Sequence, residues 1–180
     1  MDEEHNYSDQ KPAIRLPYPK GLLRLIFRAP ILLYRLGLGR LLGNRFLLLE
    51  QRGRRSGKIR RTIVEVVDFD PERASYVVVS AWGVKADWYR NLAADPAVTV
   101  SVSNKRFLAL ARIVTPEEAE FHLRNYAKRH PRAFRDLGSL LVGETSRDVD
   151  ETIRRFVQSM PTVEITPLGS VPPLRDSGTT

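Results

Sequence analysis

The chain has 180 residues, 42% of them apolar, enough for one substantial core, so a single domain is the expectation. It holds no cysteine, which excludes disulfides, thiolate metal sites, iron–sulfur clusters and cysteine nucleophiles; redox chemistry would need a bound organic cofactor. The net charge of +8 is unevenly spread: residues 20–61 carry twelve Lys/Arg against one acid, Glu50, which leaves the remainder slightly acidic and points to a localised anionic partner.

Residues 1–19 are polar and contain Pro12, Pro17 and Pro19, so they read as a flexible arm. The acidic start (Asp2, Glu3, Glu4) lacks the apolar run and cleavage site of a secretory signal, and a cytoplasmic location is expected. From Lys20 the chain becomes rich in Leu, Ile and Phe, with Arg24, Arg28 and Arg35 on nearly one helical face and Pro30 ending or kinking the helix. Arginines interrupt this stretch too often for a bilayer span of ~20 apolar residues. Residues 20–49 read either as an interfacial helix at an anionic membrane surface or, preferred, as a broad apolar face packed on the barrel or a second subunit.

From Phe46 the pattern becomes β-rich. Strands are expected at 46–51, 60–69 and 74–81, the last two joined through Asp70, Pro71, Glu72 and Arg73, and at 97–103 and 106–114 around Asn104 and Lys105. A short helix at 87–94, closed by Asp95 and Pro96, separates the hairpins. Thr115, Pro116, Glu117 and Glu118 open a helix running to about Arg129, as N-cap, first-turn proline and first-turn acids. Helices at 131–142 and 147–159, a final strand at 161–166 and a disordered tail over 168–180 complete the reading, with 20–167 as the one domain. Strands joined by tight turns with helices between and behind them give an α+β domain on a small antiparallel barrel; without alternating strands and helices or a G-x-G-x-x-G, a doubly wound sheet is disfavoured.

His5, His122 and His130 show no metal-ligand spacing, and a solvated or capping role is expected for each. The loop of residues 52–58 (RGRRSGK) matches neither a Walker loop nor a dinucleotide fingerprint. Its glycines leave backbone N–H groups open to an anion, and Arg52, Arg54, Arg55 and Lys58 surround them with positive charge; a solvated basic hairpin remains the other reading. In residues 80–92 (SAWGVKADWYRNL) a strand ends at Ser80 and a helix opens at Asp87, offering N–H groups to an anion or carbonyl. Trp88 and Tyr89 could wall a flat ring, although Trp88 and Leu92, four apart, fit better as a pair pinning the helix to the barrel.

The ordered motifs LLEQRGRRSGKIRRT, YVVVSAWG and ADWYRNLAADPAVTVSV, spanning roughly residues 46–114, resemble the deazaflavin-dependent nitroreductase family, small split β-barrel proteins that bind coenzyme F-420. That resemblance implies that Arg54, Arg55 and Lys58, with Ser56, Arg60 and Arg61 assisting, hold the coenzyme's phosphate and oligoglutamate tail. It implies that Ser80, Ala81, Trp82 and Gly83 line the deazaflavin ring, with Trp88, Tyr89 and Asn91 completing the pocket. Catalysis would be hydride transfer to an electron-poor acceptor, a quinone, activated alkene or nitro compound, with Ser80 and Tyr126 as candidate catalytic residues. Relatives that activate nitro drugs place an aromatic residue where this chain has Glu65 and a lysine where it has Ala81, which turns the expectation away from bulky nitro drugs.

FMN in the same fold is the alternative cofactor, although several arginines suit an oligoglutamate better than one phosphate. A non-enzymatic lipid or fatty-acid carrier at the membrane surface is the alternative function. Nucleic acid is disfavoured as a partner, because the arginines alternate with leucines instead of exposed aromatic rings. A homodimer is expected for a barrel of this size.

Overall fold

The computed structural model describes residues 44–103, 105–142 and 148–169, with the backbone alone for 139–142. The expectations for the N-terminal arm, the amphipathic stretch before residue 44, His5, Asn104, the start of the 147–159 helix and the tail beyond 169 lie outside the described residues. Among the described residues, no helix is long and apolar enough to cross a membrane.

Six strands form the barrel: β1 (Phe46–Arg52), β2 (Ile59–Asp70), β3 (Ser75–Val79), β4 (Ala97–Val102), β5 (Lys105–Ile113) and β6 (Thr162–Pro167). The order β1-β2-β3-β6-β5-β4 closes on itself through β4 pairing with β1, every pair antiparallel. Among the described residues, four helices accompany it: α1 (Asp87–Ala94), preceded by a 3-10 turn at Gly83–Lys85, α2 (Pro116–Arg129), α3 (Pro131–Val142) and α4 (Val149–Ser159). The α+β domain on a small antiparallel barrel expected from the strand and turn pattern, which the family resemblance makes a split barrel, is the fold observed.

Alternation decides which residues enter the barrel. In β4, Val98, Val100 and Val102 point inward, while Thr99 and Ser101 on the other face are only half-buried. β3 is apolar on both faces because it is covered on both: Tyr76 and Val78 join the barrel interior, whereas Val77 faces the helices. α1 sends Trp88, Tyr89 and Leu92 into the barrel's interior cluster, the packing role favoured for Trp88 and Leu92. A second core forms outside β2 and β3, where α2, α3 and α4 gather Leu123, Phe134, Ile153 and Phe156 around Val67 and Val77.

Two local corrections have clear causes. The strand expected over 74–81 is Ser75–Val79, since Ala74 takes φ 51° in the turn and Ser80 directs its N–H to the carbonyl of Pro161 (2.9 Å) and its hydroxyl to that of Gly83 (2.8 Å). His122 is neither solvated nor a cap: its Nδ1 lies 2.8 Å from Asp68 Oδ2, with its side chain 18% exposed. A bulge in β2 between Val66 and Asp68 is responsible, because it lets Val67 and Asp68 both face the helices while Val66 and Phe69 pack inward. His130, by contrast, is the C-cap residue of α2.

Candidate cofactor site

The turn joining β1 to β2 is a tightly bonded cradle. Gly53 N–H donates to Lys58 O (2.9 Å), Gly57 N–H donates to Gly53 O (2.8 Å), and Ser56 Oγ accepts from Lys58 N–H at 3.4 Å. Gly53 is buried where a Cβ would meet Ser56 Oγ at 3.0 Å and Lys58 O at 3.2 Å, and Gly57 sits at φ 65° with open space beside it. Both positions therefore favour glycine, one by close approach and one by backbone conformation.

The four arginines and the lysine of this region divide into two sets. Arg54 is turned inward and tied to α1: Asn91 Oδ1 accepts from the Arg54 backbone N–H (3.2 Å) and from its Nη1 (3.0 Å), and Asp87 Oδ1 lies 3.1 Å from the same Nη1. Arg61 pairs with Glu50 at 2.6 Å, a carboxylate that Arg106 holds from its other side. Burial acts to raise the pKa of Glu50, and the bonds from these two arginines outweigh it, leaving the pKa below the ordinary value. Arg55, Lys58 and Arg60 are exposed and have no carboxylate partner among the described residues; Arg60 reaches only the Ser56 hydroxyl, at 3.5 Å.

The second motif sits beside this turn only in part. Ser80 is fully buried and its hydroxyl is spent on the Gly83 carbonyl, which shapes the 80–83 backbone. Ala81 and Trp82 are half-buried, Gly83 is buried, and Trp88 and Tyr89 have their faces in the barrel core. Asn91, 4% exposed, is the side chain that the structure brings to the basic turn. Tyr126 stands apart from the Trp88 and Tyr89 cluster, in the outer core on α2, where its hydroxyl donates to Glu65 Oε1 at 3.2 Å. Burial and the Glu65 carboxylate push its pKa up to about 12, so the phenol keeps its proton at neutral pH.

Sequence reasoning missed Asp87 and Asp95 as parts of this arrangement. Asp95 Oδ2 lies 3.8 Å from Arg52 Nε, so α1 is tied to the β1–β2 turn at both of its ends. The i, i+4 spacing of Asp87 and Asn91, which places two oxygen acceptors on one helical face, was the available signal.

The architecture defines the class: a small α+β split β-barrel with a cation-bearing turn latched to a helix that plugs the barrel. A family model described as F420H(2)-dependent quinone reductase matches residues 35–139, more than half of the chain. The chain belongs to that family; it is an F-420-dependent oxidoreductase and its cofactor is coenzyme F-420. Among solved structures, that of protein Atu2129 from Agrobacterium tumefaciens, of unknown function, is similar at 15% identity over 88% of this chain and 60% of that one, with a TM-score of 0.50. An F420-H2 dependent reductase (FDR-A) is similar at 20% identity over 68% of this chain and 95% of that one, TM-score 0.47. A putative pyridoxamine 5'-phosphate oxidase from Listeria innocua is similar at 13% identity over 76% and 93% of the two chains, TM-score 0.45. No curated protein matches the chain.

The residues present fit such a cofactor. Coenzyme F-420 combines a flat ring with a phosphate and a run of carboxylates, and the chain offers three exposed cations, Arg55 and Lys58 on the bonded turn and Arg60 at the start of β2.

Proposed function

We propose that the enzyme passes a hydride from reduced coenzyme F-420 to a quinone, which takes up a proton to become the hydroquinone. The observation that carries this reading is the set of cations without a carboxylate partner among the described residues, Arg55 and Lys58 on the glycine-shaped turn and Arg60 at the start of β2, together with membership of a family described by quinone reduction. Activated alkenes and nitro compounds are chemically related acceptors; Glu65 and Ala81, standing where nitro-drug-activating relatives have an aromatic residue and a lysine, favour the quinone.

The bound coenzyme supplies the hydride, and the protein's part is placement. Arg55, Lys58 and Arg60, with the Ser56 hydroxyl and turn amides, hold the phosphate and carboxylates. Ala81, Trp82 and Gly83 line the ring; Trp88 and Tyr89, packed in the core, support that wall from beneath, and the buried Ser80 hydroxyl fixes its backbone. Arg54 and Asn91 shape the turn, and Arg61 serves it indirectly by holding the adjacent strands together through Glu50. Tyr126, protonated and bonded to Glu65, donates to the helix–barrel seam and is assigned no step in hydride transfer.

The test is anaerobic oxidation of the reduced coenzyme by a soluble quinone, an activated alkene and a nitroaromatic, each followed by absorbance. Quinone should be the fastest acceptor. The Arg55→Ala/Lys58→Ala/Arg60→Ala variant should raise the KM for the coenzyme by roughly a hundredfold with little change in kcat, on the basis of about 1 kcal/mol per lost charge-assisted contact. An unchanged KM would remove the turn from the cofactor site, and the absence of quinone-dependent oxidation would reject the acceptor.

A further inference from the structure

The geometry points to Asn91 as a positioning residue that acts on the cofactor through Arg54, and so sets how strongly the enzyme favours the full coenzyme over the same deazaflavin without its anionic tail. This inference rests on the reading of the β1–β2 turn as the anion cradle.

Asn91, the fifth residue of α1 and one turn past Asp87, is 4% exposed, so its amide oxygen is screened from solvent. That one oxygen accepts twice from Arg54, from the backbone N–H at 3.2 Å and from Nη1 at 3.0 Å. The first bond fixes the peptide between Gly53 and Arg54, at the point where the turn begins. The second, together with Asp87 Oδ1 at 3.1 Å and the Asp87 carbonyl at 3.5 Å, draws the guanidinium down onto α1. With Arg54 held inward, the cations that follow it face solvent: Arg55 and Lys58 on the turn and Arg60 at the start of β2 are exposed, whereas the Arg54 side chain is 21% exposed. Without the latch, three like charges stand close together on backbone held by the turn's internal bonds and the Arg52–Asp95 pair. Those charges repel, and a mobile cradle gives up affinity when it orders around a ligand.

The consequence is selective. A ligand that engages the ring wall alone does not use the turn and is indifferent to the latch. A ligand with phosphate and carboxylates needs the turn in one shape.

Intrinsic Trp fluorescence titrations would compare coenzyme F-420 with the deazaflavin riboside that lacks phosphate and glutamates. Variants would be Asn91→Ala, Asn91→Asp, Asp87→Ala and the Arg55/Lys58/Arg60 triple alanine. Asn91→Ala should weaken coenzyme binding about tenfold, the scale of one lost hydrogen bond to a charged group, and leave the riboside within about twofold. Asn91→Asp retains an acceptor oxygen for both Arg54 donors and should recover most of the loss. Asp87→Ala, at a side chain 82% exposed and so safe for folding, should show a smaller loss of the same selective kind. Amide hydrogen exchange over residues 53–58 should quicken in Asn91→Ala without ligand present. Equal weakening toward both ligands, or a loss that Asn91→Asp does not recover, overturns the positioning role. If instead the triple alanine variant binds the full coenzyme like the unmodified protein, the cradle reading itself fails, whatever Asn91 does.

Discussion

Tyr126 shows how a residue's surroundings settle a role that its identity leaves open. Its hydroxyl faces the Glu65 carboxylate, which Arg45 also holds at 3.0 Å, and the outer core covers its ring. Burial and the negative neighbour disfavour the phenolate, so Tyr126 should ionise only as pH is raised to about 12, above the ordinary value of 10. Replacing Glu65 with Gln removes the negative charge and should bring that ionisation down, measurable as tyrosinate absorbance; an unchanged titration would show that burial alone sets it. The same dependence on surroundings explains what sequence reading missed at this scale. Asn91 was recognisable as a site residue by resemblance, but its acceptor role depends on Arg54, 37 residues away in the chain. His122 carried no sign that it would face a carboxylate, because Asp68 turns toward α2 only through the bulge.

Among the elements, those with local signals were the legible ones. The α2 boundaries were readable because Thr115 and Glu118 form a reciprocal capping box, with Glu118 N–H donating to Thr115 Oγ1 at 3.3 Å and Thr115 N–H donating to Glu118 Oε2 at 2.8 Å. Thr115→Ala should destabilise the protein by about 1 kcal/mol and Thr115→Ser much less, as read by urea unfolding. The strands of the two hairpins were equally plain, since alternating valines and turn residues specify them with no help from distant parts of the chain. The straps between elements were not. The Arg54 and Arg52 contacts that tie the first turn to α1 join side chains far apart in the chain, whose partners only the closed barrel brings near.

For the whole molecule, closure of the barrel makes long-range ion pairs possible that bear on acid stability. Arg112 on β5 spans Glu118 on α2 (2.8 Å) and Glu164 on β6 (2.7 Å), while Asp68 on β2 takes His122, Asn125 and Arg129 of α2. The Arg112 bond leads the effects that lower the Glu118 pKa to about 2 from an ordinary 4.5. For Asp68, burial acts upward and is outweighed by His122, the Phe69 amide and Arg129, so its pKa also falls. Carboxylates lowered in the folded state contribute stability that is complete above their unfolded pKa and withdrawn as pH falls through the folded one. Unfolding free energy should therefore hold steady above about pH 5 and decline from about 4.5 toward about 2. Glu118→Gln should flatten part of that decline, a modest part because the carboxylate is 40% exposed. A decline of the same steepness in this variant would assign the acid sensitivity to other carboxylates.

The extra residue in β2 also governs which genetic changes the barrel can absorb. Side chains before it follow one inside–outside phase and those after it follow the opposite one, so Val67 works as a phase corrector in the strand. Exchanging Val67 for another apolar residue alters one contact. Deleting it would leave Val66 inside, Asp68 outside and Phe69 inside in plain alternation, so the barrel would lose the bulge and one outer-core contact while both flanks of the strand kept their facing. Loss of this one codon should thus be milder than loss of a codon within β4, where strict alternation leaves no extra residue to absorb it and the valines beyond the deletion would turn outward.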